Sequence, residues 1–271
     1  MKIALITCIK NEEDVIYNNL LYYYNMGIRN FYVMLNNSQD NTISELERFE
    51  RNKNVKIRMF FDTKVEYLQP ARFTMMANEA FRDGCTWIIP IDADEIFKIN
   101  SNHKNFSSFF EQFDKQHQFG YINCEWIDYT PDKIPSKKHD GSNIFSTWKH
   151  RMKQPRKEHK VIVKWHPEMK FGDGHHLVIS KRNLIYEGND IFCAHFFGRS
   201  YDQFSFKIRN ISNVFAKTFG KDSQRGQVGH FHQINEKGED FIKSKWDEMY
   251  NKRINSDKIF DPIPKEFFLD K

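Results

Sequence analysis

The chain is short of cysteine, of long apolar runs and of any strong excess of one charge. Its four cysteines (Cys8, Cys85, Cys124, Cys193) in 271 residues lie far apart and form no C-x-x-C pair. That excludes a zinc knuckle and a disulfide scaffold and points to a reducing compartment. No stretch approaches the roughly 20 apolar residues that span a bilayer. The opening Met1-Lys2-Ile3-Ala4-Leu5-Ile6-Thr7-Cys8 is too short and too soon polar for a secretory signal, so a cytoplasmic location is expected. Lys plus Arg number 41 against 36 Asp plus Glu, a net +5. Such mild basicity suits an anionic ligand or a membrane surface and falls short of a nucleic-acid tail. There is no RRM, KH or helix-turn-helix signature, no G-x-x-x-x-G-K-[ST], and no G-x-G-x-x-G after the first apolar run. These absences argue against a nucleic-acid binder, a P-loop NTPase and a dinucleotide enzyme.

Phe is frequent at 26, apolar residues reach 39% and charged residues 28%, enough for one large core. Over the first hundred residues two periods alternate. Ile3 to Cys8, Phe31 to Leu35, Val55 to Phe61 and Trp87 to Ile91 read as buried strands. Between them Ile16, Leu20 and Tyr23 or Tyr24 recur at helical spacing up to Gly27. Ile43, Leu46 and Phe49 follow a Thr42/Glu45 capping box, and Phe73, Met76, Ala77, Ala80 and Phe81 form a third stripe. The expected fold class is α/β, a mostly parallel sheet flanked by helices, with ligands beyond the carboxyl ends of the strands. Asn11-Glu12-Glu13-Asp14 offers a cap and first-turn acids to the first helix.

Beyond residue 100, Phe106 to Phe113 reads as a helix, and Gly120 to Trp126, Val161 to Trp165 and Ile191 to Phe197 as strands. Residues 129–160, rich in Lys, His, Pro and Ser, read as a long flap. Residues 1–200 are expected to form the catalytic domain. Residues 201–271, with amphipathic stretches Tyr201 to Phe219 and Glu239 to Arg253, are expected to be a helical extension packed on it.

The sharpest local signal is Ile91-Asp92-Ala93-Asp94-Glu95 at the end of the fourth strand. In extended chain Asp92 and Asp94 point the same way and present two hard oxygen ligands to Mg²⁺ or Mn²⁺ carrying a diphosphate. The bland reading is a D-x-D that caps the next turn.

Here the chain resembles the family-2-type glycosyltransferases of the GT-A fold, nearest the branch that includes family 92 and its bacterial relatives. The resemblance lies in Thr7-Cys8-Ile9-Lys10-Asn11-Glu12, Leu20 to Gly27, Asn36-Asn37-Ser38-Gln39-Asp40-Asn41-Thr42 and Trp87 to Phe97. Later echoes are Lys160 to Val163, Gly174-His175-His176, and His195 to Ser200 with Phe204 and Lys207. It implies a nucleotide-sugar donor, with UDP as the default, Mn²⁺ or Mg²⁺ at the D-x-D, and transfer to a glycan or lipid-linked hydroxyl with inversion. The C-terminal helices carry Lys and Phe together, which permits peripheral contact with the inner membrane surface, and no nucleic-acid partner is expected. By resemblance Thr7, Ile9, Asn11, Glu12 and Asn36 face the nucleoside, with Asp40, Arg72, Asp92 and Ala93 also at the donor. His195 joins Asp92 and Asp94 as the late metal-ligating histidine.

Each role has a plainer rival. Asn11 and Asp40 also suit helix starts, Arg72 the surface, Asn78 polar packing, and His195 a satisfied buried ring. The proton-accepting base falls to Asp173, Glu125 or Asp128, with His175 or His176 as alternatives. Trp148 and Trp165 in the basic stretch would stack on acceptor sugars, or the stretch is a solvated loop. Pro90 departs from the family pattern and is expected where the strand ladder has ended. The rival functions are a non-catalytic nucleotide-binding scaffold of the same fold and a metal-dependent phosphohydrolase.

Overall fold

The computed structural model describes residues 1–100, 103–114, 120–181, 185–219 and 229–270. The first half alternates β1 (Ile3–Ile9), α1 (Ile16–Asn25), β2 (Asn30–Leu35), α2 (Thr42–Lys53), β3 (Ile57–Phe61), α3 (Gln69–Arg82) and β4 (Trp87–Ile91). β1 runs parallel to both β2 and β4, and β2 parallel to β3. Successive strand residues face opposite sides. Ile3, Leu5 and Ile9 of β1 therefore join one buried cluster with Leu20, Tyr23 and Phe49 of α1 and α2. Ala4 and Ile6 join another with Phe73, Met76, Ala77 and Ala80 of α3. The α/β class and the helices on both faces are those read from the periodicity. α1 closes at Gly27, whose φ of +95° lets the N–H groups of Met26, Gly27 and Ile28 fold back on the carbonyls of Tyr22, Tyr24 and Tyr23.

The second half adds β5 (Glu95–Ile99), α4 (Phe106–Asp114), β6 (Gly120–Thr130), α5 (Ile144–Thr147), β7 (His150–Met152) and β8 (His159–Lys164). Then come the short strands β9 (Lys170–Phe171) and β10 (Val178–Ile179), β11 (Ile185–His195), α6 (Tyr201–Phe219), α7 (Gly229–Glu236), α8 (Glu239–Ile254) and β12 (Lys258–Phe260). The sheet runs β12-β7-β6-β8-β4-β1-β2-β3, and β11 lies parallel to β6 and antiparallel to β5. The sheet is thus parallel around β1 and antiparallel beyond β4 except where β11 joins β6. The β4–β8 ladder covers only Trp87 and Ile88. Pro90 remains in register with Ile6 on the β1 side, so the expectation that its ladder has ended holds on the β8 side alone.

Residues 129–160 are not a flap. α5 and β7 lie within them, and Ile144, Phe145 and Trp148 are buried, the last two against Phe196. The apolar residues among the lysines and prolines anchor the segment. Trp148 and Trp165, expected to stack on an acceptor, are both buried in the core. α6 and α8 are helices over the two amphipathic stretches. Ile242, Trp246 and Tyr250 of α8 enter the main cluster. Among the described residues no helix is long and apolar enough to cross a membrane.

Candidate active site

β4 delivers the D-x-D to the carboxyl end of the sheet, but not in extended form. The Glu95 N–H donates to the Asp92 carbonyl at 3.0 Å, so residues 92–95 make a tight turn. α1 fixes that turn from below. Buried Asn19 donates from Nδ2 to the carbonyls of Ala93 and Glu95, at 3.1 and 2.7 Å, and Phe196 N–H takes the Asp94 carbonyl at 2.9 Å. A turn separates what an extended chain would align, and the two aspartates serve different groups.

Asp92 lies against Lys160, whose Nζ is 3.3 Å from Asp92 Oδ2, 2.9 Å from Glu95 Oε1, 2.9 Å from His175 Nε2 and 3.1 Å from the Gly174 carbonyl. Lys160, Glu95 and His175 are fully buried, while Asp92 reaches the cavity. Burial alone would lower the Lys160 ammonium, but Glu95 and Asp92 outweigh it and hold it above the ordinary lysine range. Burial likewise acts to raise Glu95, and Lys160 with His175 pulls it well below the usual carboxylate range.

Asp94 turns to the other side. Its Oδ2 is 2.8 Å from Lys207 Nζ, 3.6 Å from Arg199 Nη1 and 4.0 Å from His195 Nε2. Burial opposes its ionisation, yet Lys207, His195 and Arg199 bring it down to about 2. Arg199, itself buried, also grips Asp14 with two nitrogens and Glu12 with one. Burial pushes the Glu12 carboxyl up to about 7, against the pull of Arg199 and Lys207. His195 is oriented by Asp128, whose Oδ1 lies 2.7 Å from its Nδ1. Asp128 in turn takes both Arg156 nitrogens, at 3.0 and 2.9 Å, and faces Arg253 at 3.4 Å. Burial and Arg156 keep the His195 ring below its ordinary value, against the pull of Asp128 and Asp94.

Of these groups Glu12, Asp92, Asp128, Arg156, His195, Lys207 and Arg253 border a cavity of about 980 Å³. Its polar wall includes Lys10, Asn36, Arg72, Asp92, His195 and Lys207. Its apolar wall is made by Phe215, Phe219, Phe231 and Ile234 of α6 and α7. Trp126 forms part of the floor, with its ring 5.0 Å from that of His176, 4.8 Å from that of His195, and under the Arg156 guanidinium at 4.1 Å.

Of the expected donor contacts, Ile9, Glu12, Asn36, Arg72, Asp92 and Ala93 line the cavity. Asn36 Nδ2 donates to the carbonyls of Asp62 and Lys64, and Arg72 Nε binds Asp62 at 2.9 Å, so both also brace the loop after β3. Three others, Thr7, Asn11 and Asp40, do not line the cavity. Thr7 lies within β1, fully buried between β2 and β4, too deep in the sheet to reach the cavity. Asn11, at φ +54°, accepts from Gln39 N–H and so ties two loops together. Asp40 accepts from the N–H groups of Glu13 and Thr42 at the start of α2. The Thr42/Glu45 box does not form, since Thr42 Oγ1 accepts from Glu12 N–H and Glu45 pairs with Arg48. Glu12 and Asp14 cap nothing; they hold Arg199.

Among the base candidates Asp173 and His176 line the cavity. Glu125 does not, because Trp126 and Asp128 face it and β6 alternates. Asp128 is committed to His195 and two arginines. His175 is shut behind Lys160, and Asn78 accepts from Trp165 Nε1 at 3.0 Å as polar packing. Glu95, Trp126, Arg199 and Lys207 complete the site without having been assigned roles from the sequence.

Two places bear on a divalent ion. Asp92, Glu95 and His175 bring donor atoms within 4.8 Å of one another, but the Lys160 ammonium stands among them. The Asp94–His195 pair is the second place, with the Lys207 ammonium 2.8 Å from the same Asp94 oxygen. Mg²⁺ ligands sit at about 2.0–2.1 Å, so two on one ion are at most about 4.2 Å apart, and these are 4.0 Å apart. Asp94 Oδ1, buried, makes no hydrogen bond, and His195 has the carboxylate partner that metal-binding imidazoles use.

No protein-family model matches the sequence, and no curated protein matches it. Solved structures similar to it include S. aureus TarS 1–349 (14% identity, TM-score 0.43, 92% of this chain and 83% of that one). Another is the mannosyltransferase PcManGT from Pyrobaculum calidifontis with GDP-Man and Mn²⁺ (12%, 0.45, 90% and 73%). A third is glucosyl-3-phosphoglycerate synthase from Mycobacterium tuberculosis with Mn²⁺, UDP-glucose and phosphoglyceric acid (12%, 0.31, 48% and 44%). At these scores the likeness is remote.

Proposed function

We propose that the chain is a nucleotide-sugar-dependent glycosyltransferase of the GT-A, family-2-like type. The observation that carries this reading is the D-x-D turn at the carboxyl end of the central parallel strand. There Asp94 faces an imidazole held by a carboxylate and lies beside the cavity-lining Lys207. Asp94 and His195 would hold Mn²⁺ or Mg²⁺, which when bound neutralises charge on a leaving diphosphate. Lys207 supplies a second cation for the same charge. Asn36, Arg72 and Ile9 border the room for a nucleoside, and UDP is the nucleotide we favour. Asp173 at the cavity wall accepts the proton of the acceptor hydroxyl as that oxygen attacks the anomeric carbon from the face opposite the diphosphate, giving inversion. His176 is the alternative acceptor of that proton. The apolar wall suits a glycan acceptor carried on a lipid.

Calorimetry against UDP, GDP and CDP, each with and without Mn²⁺, tests the donor site. One nucleotide is expected to bind only with metal, and binding is expected to vanish in Asp94→Ala. Binding to none of the three would sink the reading. Asp173→Asn is expected to lower turnover by about 10²–10⁴-fold while donor affinity stays within a factor of about three. A variant that turns over normally would remove Asp173 as the base.

A further inference from the structure

We propose that Lys160 is a resident cation that takes the place of a divalent ion at Asp92, holding the first aspartate of the D-x-D at the cavity wall and closing that cluster to metal. Its Nζ has four acceptors around it, from Asp92, Glu95, His175 and the Gly174 carbonyl, at 2.9–3.3 Å. Two carboxylates, an imidazole and a carbonyl are also a divalent-ion donor set. The three N–H groups of the ammonium meet Asp92 Oδ2, the Gly174 carbonyl and His175 Nε2, and Glu95 Oε1 adds an ion pair. His175 Nε2 also lies 3.5 Å from Glu95 Oε2, and its Nδ1 is buried with no hydrogen-bond partner. The Trp126 face closes the cage, with its centroid 4.7 Å from Nζ.

The backbone is bent to make this cage. Gly174 and His175 both have positive φ, +59° and +45°. A non-glycine residue there costs about 1–2 kcal/mol, and the His175 ring is held in place by Lys160 and by Phe73, 4.7 Å away centroid to centroid. That conformation brings the Gly174 carbonyl and the His175 ring onto one ammonium. β8 supplies the lysine from the side on which its ladder with β4 has ended. Lys160 is a positioning residue, since it acts on Asp92 and lines no part of the cavity. The proposal concerns the same site as the glycosyltransferase reading without depending on it.

Co²⁺ alone, with no nucleotide, is the probe, followed by visible absorption and calorimetry. Folding of each variant is checked by circular dichroism. Lys160→Ala is expected to gain one Co²⁺ equivalent per chain that the wild type lacks, and Lys160→Ala/His175→Ala to lose it again. A folded Lys160→Ala with no added equivalent would overturn the proposal. If Lys160→Ala does not fold, His175→Gln in the otherwise native chain decides. Unchanged Co²⁺ binding is expected, and a fall of tenfold or more would show that the ion already enters the His175 cluster. In either case His195→Ala reports on the separate Asp94–His195 position. Loss of nucleotide binding with a gained Co²⁺ site, or the reverse, tells the two readings apart.

Discussion

His195 can serve an ion only while its ring is held, and the holder is Asp128, braced by Arg156 and Arg253. Removing such a partner typically costs 10–100-fold in metal affinity. Asp128→Ala is therefore expected to weaken Mn²⁺-dependent nucleotide binding by about that factor in calorimetry, with the fold intact. At Gly174 a methyl group would sit 2.6 Å from the His176 ring on a backbone at φ +59°. Gly174→Ala is expected to displace His176 and lower the melting temperature. An unchanged melting temperature would mean that the turn tolerates the methyl. Single residues were the least legible part of the sequence. Asp92, Asp94 and His195 stood out by type and place, and the structure gathers them in one region. Arg199 pairs with Asp14 across 185 residues and Lys160 with Asp92 across 68, separations that leave no periodic trace. Asn11 and Asp40 make loop hydrogen bonds and lie outside the cavity lining. Loop amides and carboxylates hydrogen-bond nearby N–H groups, and sequence does not distinguish that from facing a ligand.

Elements were legible wherever packing follows period. The three stripes of the first hundred residues became α1, α2 and α3, and Tyr201–Phe219 and Glu239–Ile254 emerged as α6 and α8. The segment 129–160 misled because its composition is polar while a few apolar residues, Phe145 and Trp148 among them, decide where it goes. The C-terminal tail shows the same economy. Phe267 and Phe268 pack on Tyr22 at 5.6 and 5.9 Å, and Asn25 Nδ2 donates to the carbonyls of Phe267 and Leu269. Asp270 meets Lys53 at 3.0 Å and Tyr17 Oη at 2.7 Å. Removing residues 265–271 is expected to destabilise the protein by about 3 kcal/mol, the scale of two partly buried Phe rings, measured by denaturant unfolding. Burial opposes ionisation of Asp270, but Tyr17 and Lys53 hold its carboxyl below the usual range. A depressed carboxyl contributes stability above its unfolded value, about 3.9, and loses that contribution as pH falls through the folded value. The gap between full-length and truncated chains should thus be smaller at pH 3 than at pH 7. A gap that widens in acid would remove Asp270 from the account.

At the scale of the whole molecule, the site draws on every part of the fold. Asp94 comes from the turn after β4, Asp128 from β6, His195 from β11, Lys207 from α6, and Arg253 from the far end of α8, where its Nη1 also donates to the Phe197 carbonyl at 2.9 Å. Because α8 packs into the main core, unfolding is expected to be a single transition. A nucleotide with Mn²⁺ at 100 times its dissociation constant should stabilise the whole by about 2.7 kcal/mol. That is a rise of roughly 5–10 °C in melting temperature for a chain of this size. The rise should be absent in Asp94→Ala, and a second transition insensitive to ligand would show instead that the extension folds apart from the site. The α/β class was readable in advance because strand and helix periods are local. The antiparallel half was not, since its pairings join strands far apart in sequence. One of those pairings is cut short beside Pro90. Proline has no N–H with which to extend the ladder toward β8, so the sheet cannot zip shut over the gap where Lys160 and Gly174 meet the D-x-D. Clefts held open by side-chain contacts loosen with heat or denaturant. Here the stop is covalent, present from translation onward and kept in any partly folded state that sets these two strands side by side.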